Sequence, residues 1–447
     1  MKKENGETRI VNFVKNCKYE DIPNPTIEKA KLALLDAVGA AISGTIADIC
    51  DISLKFASRA MKGDEATALT YGKKLTAAGA AFVNANAANA LDSDDDNTLV
   101  KGHVGAQLIP TALAVAEKMN ASGKELLEAI VIGYEVAFRI GAAWHRHNNI
   151  WRAGGSWGSV SNGVAAARLM GLNCSQILNT IRIAEYHAPL IPIDRDLENP
   201  AMVKHGMGWG AMNGIMSAEM AGFGYTGVPS ILGFDEYEDI INGIGENYLI
   251  VPVLGFKEFP AVAYSHLPRY CIKKLRKKEA FESEDIEKVV IESFHNVVAF
   301  PQRLPTTTEE AQFNVIWPVA CELVYGDFLP EHQLKESFSD ENIKVSWNKI
   351  ELVEDKEINR LYDLMEDHHE EGKFSCRTMI HLKNGKKLTE EYGIKSFGHK
   401  LTKEQLSDKF HNLCDSVYPK SKNEKIINMI LNIEQLDKVR ELITLIG

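Results

Sequence analysis

The side chain best suited to moving protons is His103, set between glycines in GHVG, because an imidazole titrates close to neutrality. Just upstream lies an acidic cluster, Asp92, Asp94, Asp95 and Asp96, whose charges cannot enter an apolar core without partners. Two lysines stand in suggestive settings. Lys204, in Lys204-His205-Gly206, precedes a stretch rich in Gly, Ala and Met. Lys257, in GFKEFPA, sits where the texture of the chain changes. A lysine desolvated among aromatics at such a junction has its pKa moved toward that of a usable base. Arg152, Arg195 and Lys101 are cations suited to holding substrate carboxylates, the arginines bidentately. Asp92, Asp94 and Asp96 alternate like the start of an EF-hand loop. Its sixth position is Asn97 instead of Gly and its twelfth is His103 instead of Glu, so that reading is rejected and no metal site is assigned. Most of the polar-aromatic clusters Tyr186-His187, Tyr264-Ser265-His266 and Gln312 to Trp317 read as buried, hydrogen-bonded core.

These residues must be positioned by helices. The pivotal stretch, Ala80 to Glu117, begins with small residues, passes the acidic cluster and GHVG, and returns to a helical apolar pattern. Apolar spacing predicts helices over Thr26–Ser43 (with a capping box from Thr26), about Leu75–Ala90, Ile109–Met119, Gly123–Ala143, Val160–Met170, Ser175–Tyr186 and Gly208–Ala221. Gly and Ala recur wherever helices would cross closely. The segments Asn148–Gly155 and Leu190–Pro200 read as loops that shape a pocket. Beyond Pro260 the pattern changes. A helix is expected over Pro268–Lys277, strands over Ile286–His295, Lys344–Val353 and Ser375–Leu388, and a helix over Ala311–Tyr325. Asn384-Gly385 is a hairpin signal. Thr402–Val417 and Lys425–Leu445 return to helix. The expected fold is mainly α. A large all-helical domain is built from both chain ends (1–264 and 398–447), with a smaller α+β lid domain inserted at 265–397.

With 447 residues the chain has length for two or three domains. A net charge of −11 argues against nucleic-acid binding, which needs a basic surface, but not against a small anionic substrate. The seven cysteines are scattered and form no CxxC pair, as in a reduced cytoplasmic protein. The first residues contain no apolar signal region, and no uninterrupted apolar stretch is long enough to span a membrane.

Several segments, in order, resemble the MmgE/PrpD family: LLDAVGAAISG (Leu34–Gly44), NANAANALDSDDDNTLVKGHVGA (Asn84–Ala106), GSWGSVSNGVAAARLMGL (Gly155–Leu172), MVKHGMGWGAMNGIMSAEMAGFGYTG (Met202–Gly227), FKEFPAVAYSHL (Phe256–Leu267) and EEAQFNVIWPVACEL (Glu309–Leu323). The resemblance implies cofactor-free proton transfer at carbon beside a carboxylate, as in 2-methylcitrate dehydratase, cis-aconitate decarboxylase and iminodisuccinate epimerase. It also implies a homodimer with no nucleic-acid or membrane partner. By position it implies His103 as proton shuttle and Asp94 as the group that tunes it. Lys204 and Lys257 would stabilise carboxylate or enolate charge. Substrate contacts would come from Arg152, Lys101, Thr98, Ser156, His266 and Trp317. The chain departs from the family's decarboxylase and methylcitrate members in having Arg152 in place of a His, Val104 in place of a Pro, and Trp317 near a Tyr. This implies a divergent branch with its own anionic substrate. The expected activity is a lyase acting on a di- or tricarboxylate. The alternatives are an epimerase using the same proton abstraction, and a non-catalytic ligand-binding homodimer.

Overall fold

The structure, a computed structural model, describes residues 5–147, 150–366 and 369–447. The protein is mainly α, with a small α+β part. At its centre is the helix Ala77–Asn89, thirteen residues with almost nothing bulkier than Asn. Small side chains let four other helices pack directly on it: Asn24–Gly44, Asp48–Ala60, Gly105–Met119 and Met207–Gly222. Gly44 shows how close the approach is. A Cβ there would lie 1.9 Å from the carbonyl oxygen of Ala87. The helix Asn24–Gly44 has Pro23 as its cap, so the capping box expected from Thr26 does not form; Thr26 is already inside the first turn.

One apolar core runs from Ile10 to Phe256 and takes in Leu401–Ile446. A second gathers residues between Ala261 and Phe397. The second core backs a four-stranded sheet in the order Ile350–Glu354, Ile286–Ser293, Phe374–Leu382, Lys387–Ile394. The first pair is parallel, with Val289 opposite Ile350. The others are antiparallel, and the last hairpin turns at Asn384-Gly385, where Gly385 takes a φ of 86°. Helix His266–Lys278 packs on this sheet.

Four expected elements differ. Leu190–Pro200 is not all loop, since Ile193–Glu198 forms a short helix. Lys344–Val353 is not one strand: Glu341–Trp347 is a helix capped by Asp340, whose carboxylate accepts from Asn342 and Ile343, and the strand begins only at Ile350. The cap outweighs the alternation that follows it. Ala311–Tyr325 is interrupted, with short helices over Thr308–Gln312 and Ile316–Tyr325. Lys425–Leu445 splits into Lys420–Leu431 and Arg440–Ile446 around a short turn at Ile433–Gln435. No single helix among the described residues is long and apolar enough to cross a membrane.

Candidate active site

The helix Ala77–Asn89 ends where the acidic cluster begins. Asp92 takes a left-handed backbone, φ 53°, which Asp tolerates better than most residues. The turn reverses the chain so that Asp95–Asp96 pairs, as a short antiparallel strand, with Gly255–Phe256. This pairing brings Lys257 to the acidic cluster. Its ammonium lies 2.9 Å from Asp92 Oδ2 and donates to the Asp92 carbonyl at 3.1 Å, with both residues 2 % exposed. A second turn is closed by Asn97, whose amide donates to the Gly102 carbonyl and whose Oδ1 accepts from Val100. It presents His103 just ahead of the helix Gly105–Met119.

The imidazole of His103 is fixed from behind. Its Nδ1 faces the carbonyl oxygen of Asp95, which can only accept, so Nδ1 carries the proton. Asp94 Oδ2 lies 3.5 Å from the same nitrogen. Nε2 is left for chemistry, 3.7 Å from Asp92 Oδ1. Asp94 is itself held by the Asn89 amide, at 3.1–3.2 Å to its two oxygens. Burial would lower the His103 pKa and Lys257 adds to that, but Asp94, Asp96 and Asp92 together hold it above the ordinary value. Burial alone would also lower Lys257. Asp92, Asp96 and Asp94 outweigh it, so this lysine is a firm ammonium. For Asp92, burial pushes upward but the cations of Lys257 and Lys204 prevail, and the carboxyl is held below its usual range. Asp95 behaves oppositely. Burial, with Asp94 and Asp36 nearby, pushes it up to about 7. Its oxygens accept from the Gly105 N–H at 2.9 Å and the Tyr134 hydroxyl at 3.1 Å.

His103 and Lys257 line a cavity of about 360 Å³ between the two cores. Thr98 and Lys101 stand on its rim and connect the two parts of the molecule. Lys101 pairs with Glu366 at 2.9 Å, and Thr98 meets Ser396 at 3.1 Å. The α+β part contributes Tyr264, Phe313, Tyr362 and Phe397 to the wall. The segment Leu190–Pro200 contributes Ile193 and Leu197, and Trp151 and Gly154 come from the other expected loop. Asn148 and Asn149 of that loop lie outside the described residues.

The remaining expected residues do not line this cavity. Lys204 is buried behind it, donating to the Asn89 carbonyl and, at 2.5 Å, to Gln312 Oε1. It acts on the site through charge, and burial lowers its own pKa. Asp94 likewise reaches the cavity only through His103. Arg152 turns its guanidinium toward the Trp144 ring, 5.6 Å away, and has no carboxylate partner among the described residues. Its backbone bridges Pro192. Arg195 is on the short helix Ile193–Glu198 but is not part of the cavity wall. Ser156 accepts from the Ile191 N–H at 3.2 Å and so supports the wall segment instead of facing the cavity. His266 packs edge-on to Phe259, and burial drives its pKa well down. Trp317 belongs to the second core, donating to the His332 carbonyl at 2.8 Å.

Two further residues of the wall had no site role from sequence: Asp92, noted there only as part of the acidic cluster, and His205. His205 lies beside His103, with ring centroids 5.5 Å apart. The signal for it was its place in Lys204-His205-Gly206, where a left-handed glycine follows. One ligand atom each from Asp92, His103 and His205 falls within 4.8 Å of the others, the spacing of a metal site. The Lys257 ammonium already occupies Asp92, and Lys204 adds a second positive charge nearby, so this floor is poorly suited to a divalent cation.

The MmgE/PrpD N-terminal domain matches residues 8–236, and the MmgE/PrpD C-terminal domain matches residues 259–435. The chain belongs to the MmgE/PrpD family. Full-length relatives are distant. A cis-aconitate decarboxylase-like protein, oryM, of Aspergillus oryzae is 22% identical, over 99% of this chain and 97% of the relative. A cis-aconitate decarboxylase of Aspergillus terreus is 23% identical over 98% and 95%. The cis-aconitate decarboxylase of Homo sapiens is 22% identical over 96% and 92%. Within the family's two-part plan, the cavity described above falls at the junction of the two matched domains.

Proposed function

We propose that the protein is a cofactor-independent lyase of the dehydratase or decarboxylase type, acting on a small di- or tricarboxylate by proton transfer at carbon next to a carboxylate. One observation carries the reading: in the cavity floor, the Nε2 of an imidazole pinned through Nδ1 stands beside a buried ammonium. Removing a proton beside a carboxylate builds negative charge on that carboxylate. A fixed cation in a water-poor site stabilises this charge without reorganising. Lys257 is such a cation, and Lys101 at the rim, paired with Glu366, adds a second positive charge. His103, held above its ordinary pKa by the carboxylates around it, is placed to protonate a leaving hydroxyl or a carbanion. The cavity volume suits a small molecule. The family membership and the cis-aconitate decarboxylase relatives support the same reaction class.

The test is proton NMR in D2O with 2-methylcitrate, citrate, cis-aconitate, citramalate, malate and iminodisuccinate, run beside His103→Ala. New alkene signals or loss of substrate, abolished in the variant, are expected. Deuterium entering a substrate carbon without net conversion would replace the lyase by an epimerase. Ligand-induced stabilisation with neither conversion nor exchange would leave a binding protein.

A further inference from the structure

His205 has no task in the reaction so far, yet with Asp92 and Lys101 it is one of three non-glycine residues of the cavity wall with a left-handed backbone. It is not glycine, and its φ is 38°, in the left-handed region that few side chains adopt. Such strain persists only where surrounding structure enforces it, and it gathers at functional sites. Here the enforcement is visible. Asp196, buried on the short helix Ile193–Glu198, accepts the His205 backbone N–H at 2.8 Å, and the same oxygen lies 3.5 Å from Nδ1. Phe313 closes the ring from the α+β side, edge to face at 5.7 Å. The ring itself lines the cavity.

We propose that His205 is a second catalytic residue, an Asp196-oriented base that takes the carbon-bound proton while His103 serves the leaving group. The proposal rests on the reading of the cavity as a carboxylate lyase site. Within that reading, the tilted rings, 5.5 Å between centroids, reach one small substrate together. Their surroundings divide the two roles. Burial, with His103 and Lys204 facing it, holds His205 below its usual pKa, against the opposing pull of Asp196 and Asp92. His103 is held above its own. Two titratable groups pushed apart in this way suit the roles of acid and base.

For loss of water from a β-hydroxy acid the step balances. His205 Nε2 takes the proton from carbon beside the carboxylate, and the C–H electron pair becomes the new C=C bond. The C–O bond breaks, and the hydroxyl leaves as water with the proton of His103. His205 is then charged and His103 neutral, and one proton passed between them restores both. Loss of CO2 needs only the His103 proton, delivered to the carbanion. The pair therefore points to β-hydroxy carboxylates as the substrate class.

The test uses His205→Asn, since Asn accepts the left-handed backbone and cannot titrate, with Asp196→Asn and His103→Asn beside it. Far-UV circular dichroism and melting confirm the fold of each. If the wild type dehydrates a member of the panel, His205→Asn is expected to lose 10²- to 10⁴-fold in kcat. Asp196→Asn removes a group that raises the His205 pKa, so the acid limb of its rate profile should move to lower pH, a shift that a purely structural Asp196 would not cause. Turnover of His205→Asn within threefold of wild type overturns the proposal while leaving the lyase reading intact. If no member of the panel reacts, the lyase reading fails, and histidine-ring NMR titration decides the role of His205. A His205 titration below the ordinary histidine range that rises in His103→Asn supports the paired rings. An ordinary value, unmoved by His103→Asn, overturns them.

Discussion

Asp95 carries the sharpest consequence at the scale of single residues, because it is a buried carboxyl with no ion pair among the described residues, and the pull of His103 on it is outweighed. Its partners are the Gly105 N–H and the Tyr134 hydroxyl, while Asp94 and Asp36 face it with like charge. The folded-state pKa of about 7 lies above the unfolded value of 3.8. Ionising Asp95 therefore costs stability as pH rises from about 4 through about 7, and the cost stays in full above that. Asp95→Asn removes the charge yet keeps a carbonyl oxygen for the Gly105 N–H and an amide for Tyr134. Denaturant unfolding of both proteins should coincide near pH 4. The variant should gain steadily toward pH 8, by at most about 4 kcal/mol. Equal gains at both pH values would mean that Asp95 ionises normally. Legibility at this scale follows chain distance. His103, Asp94, Thr98 and Lys101 lie within ten residues of one another, so their meeting could be read from the sequence. Lys257 arrives through a two-residue strand pairing with Asp95–Asp96 that has no local signature. Arg152 and Trp317 carry suitable chemistry in the sequence, but the turn of one toward Trp144 and the burial of the other in the second core are decided by tertiary packing.

At the scale of elements, glycine controls the distance between the helices that hold the site. Gly155 opens the helix Gly154–Leu169 against the turn Lys204–Gly206. A Cβ there would lie 2.2 Å from the Gly206 carbonyl oxygen and 2.8 Å from that of His205. Both atoms belong to backbone, so nothing flexible can yield. Gly155→Ala should cost about 1–3 kcal/mol and lower turnover by displacing the His205 turn. Gly222→Ala is the control, since its Cβ would find only Leu172 Cδ2 at 3.7 Å. Melting curves and kcat for the two variants check this, and equal behaviour would show that the crossing has slack. The long helices were legible because their apolar period is strong. Their ends were not: Gly105 and Gly154 start helices ahead of the apolar pattern, carried by burial of small residues, and the helix that begins at Gly123 runs on to His147 through half-buried and exposed side chains. The strand misread at Lys344–Val353 shows the converse, an alternating run overruled by the Asp340 cap.

At the scale of the whole molecule, the stretch of chain that supplies part of the cavity wall also carries large exposed apolar side chains. Tyr186, Leu190, Val203, Trp209, Met216 and Phe223 are all exposed, Phe223 by 95%. They come from the stretch that also supplies Ile193, Leu197 and His205 to the cavity. Isolated exposed apolar side chains are ordinary, but a concentration of large ones marks a surface that another protein covers. We propose that a second copy of this chain covers it, which would brace the Leu190–Pro200 segment and the turn that holds His205. Sedimentation equilibrium at micromolar concentration should then give twice the 49.6 kDa of one chain. Val203 is 67% exposed and immediately precedes Lys204, which makes it the most informative position. Val203→Glu places a charge on the proposed interface without touching the cavity. It should shift the protein toward monomer and reduce turnover in the same concentration range, with activity returning as protein concentration rises. A wild type that sediments at 49.6 kDa would remove the second copy, and a monomeric Val203→Glu with full turnover would show that the site stands without that support.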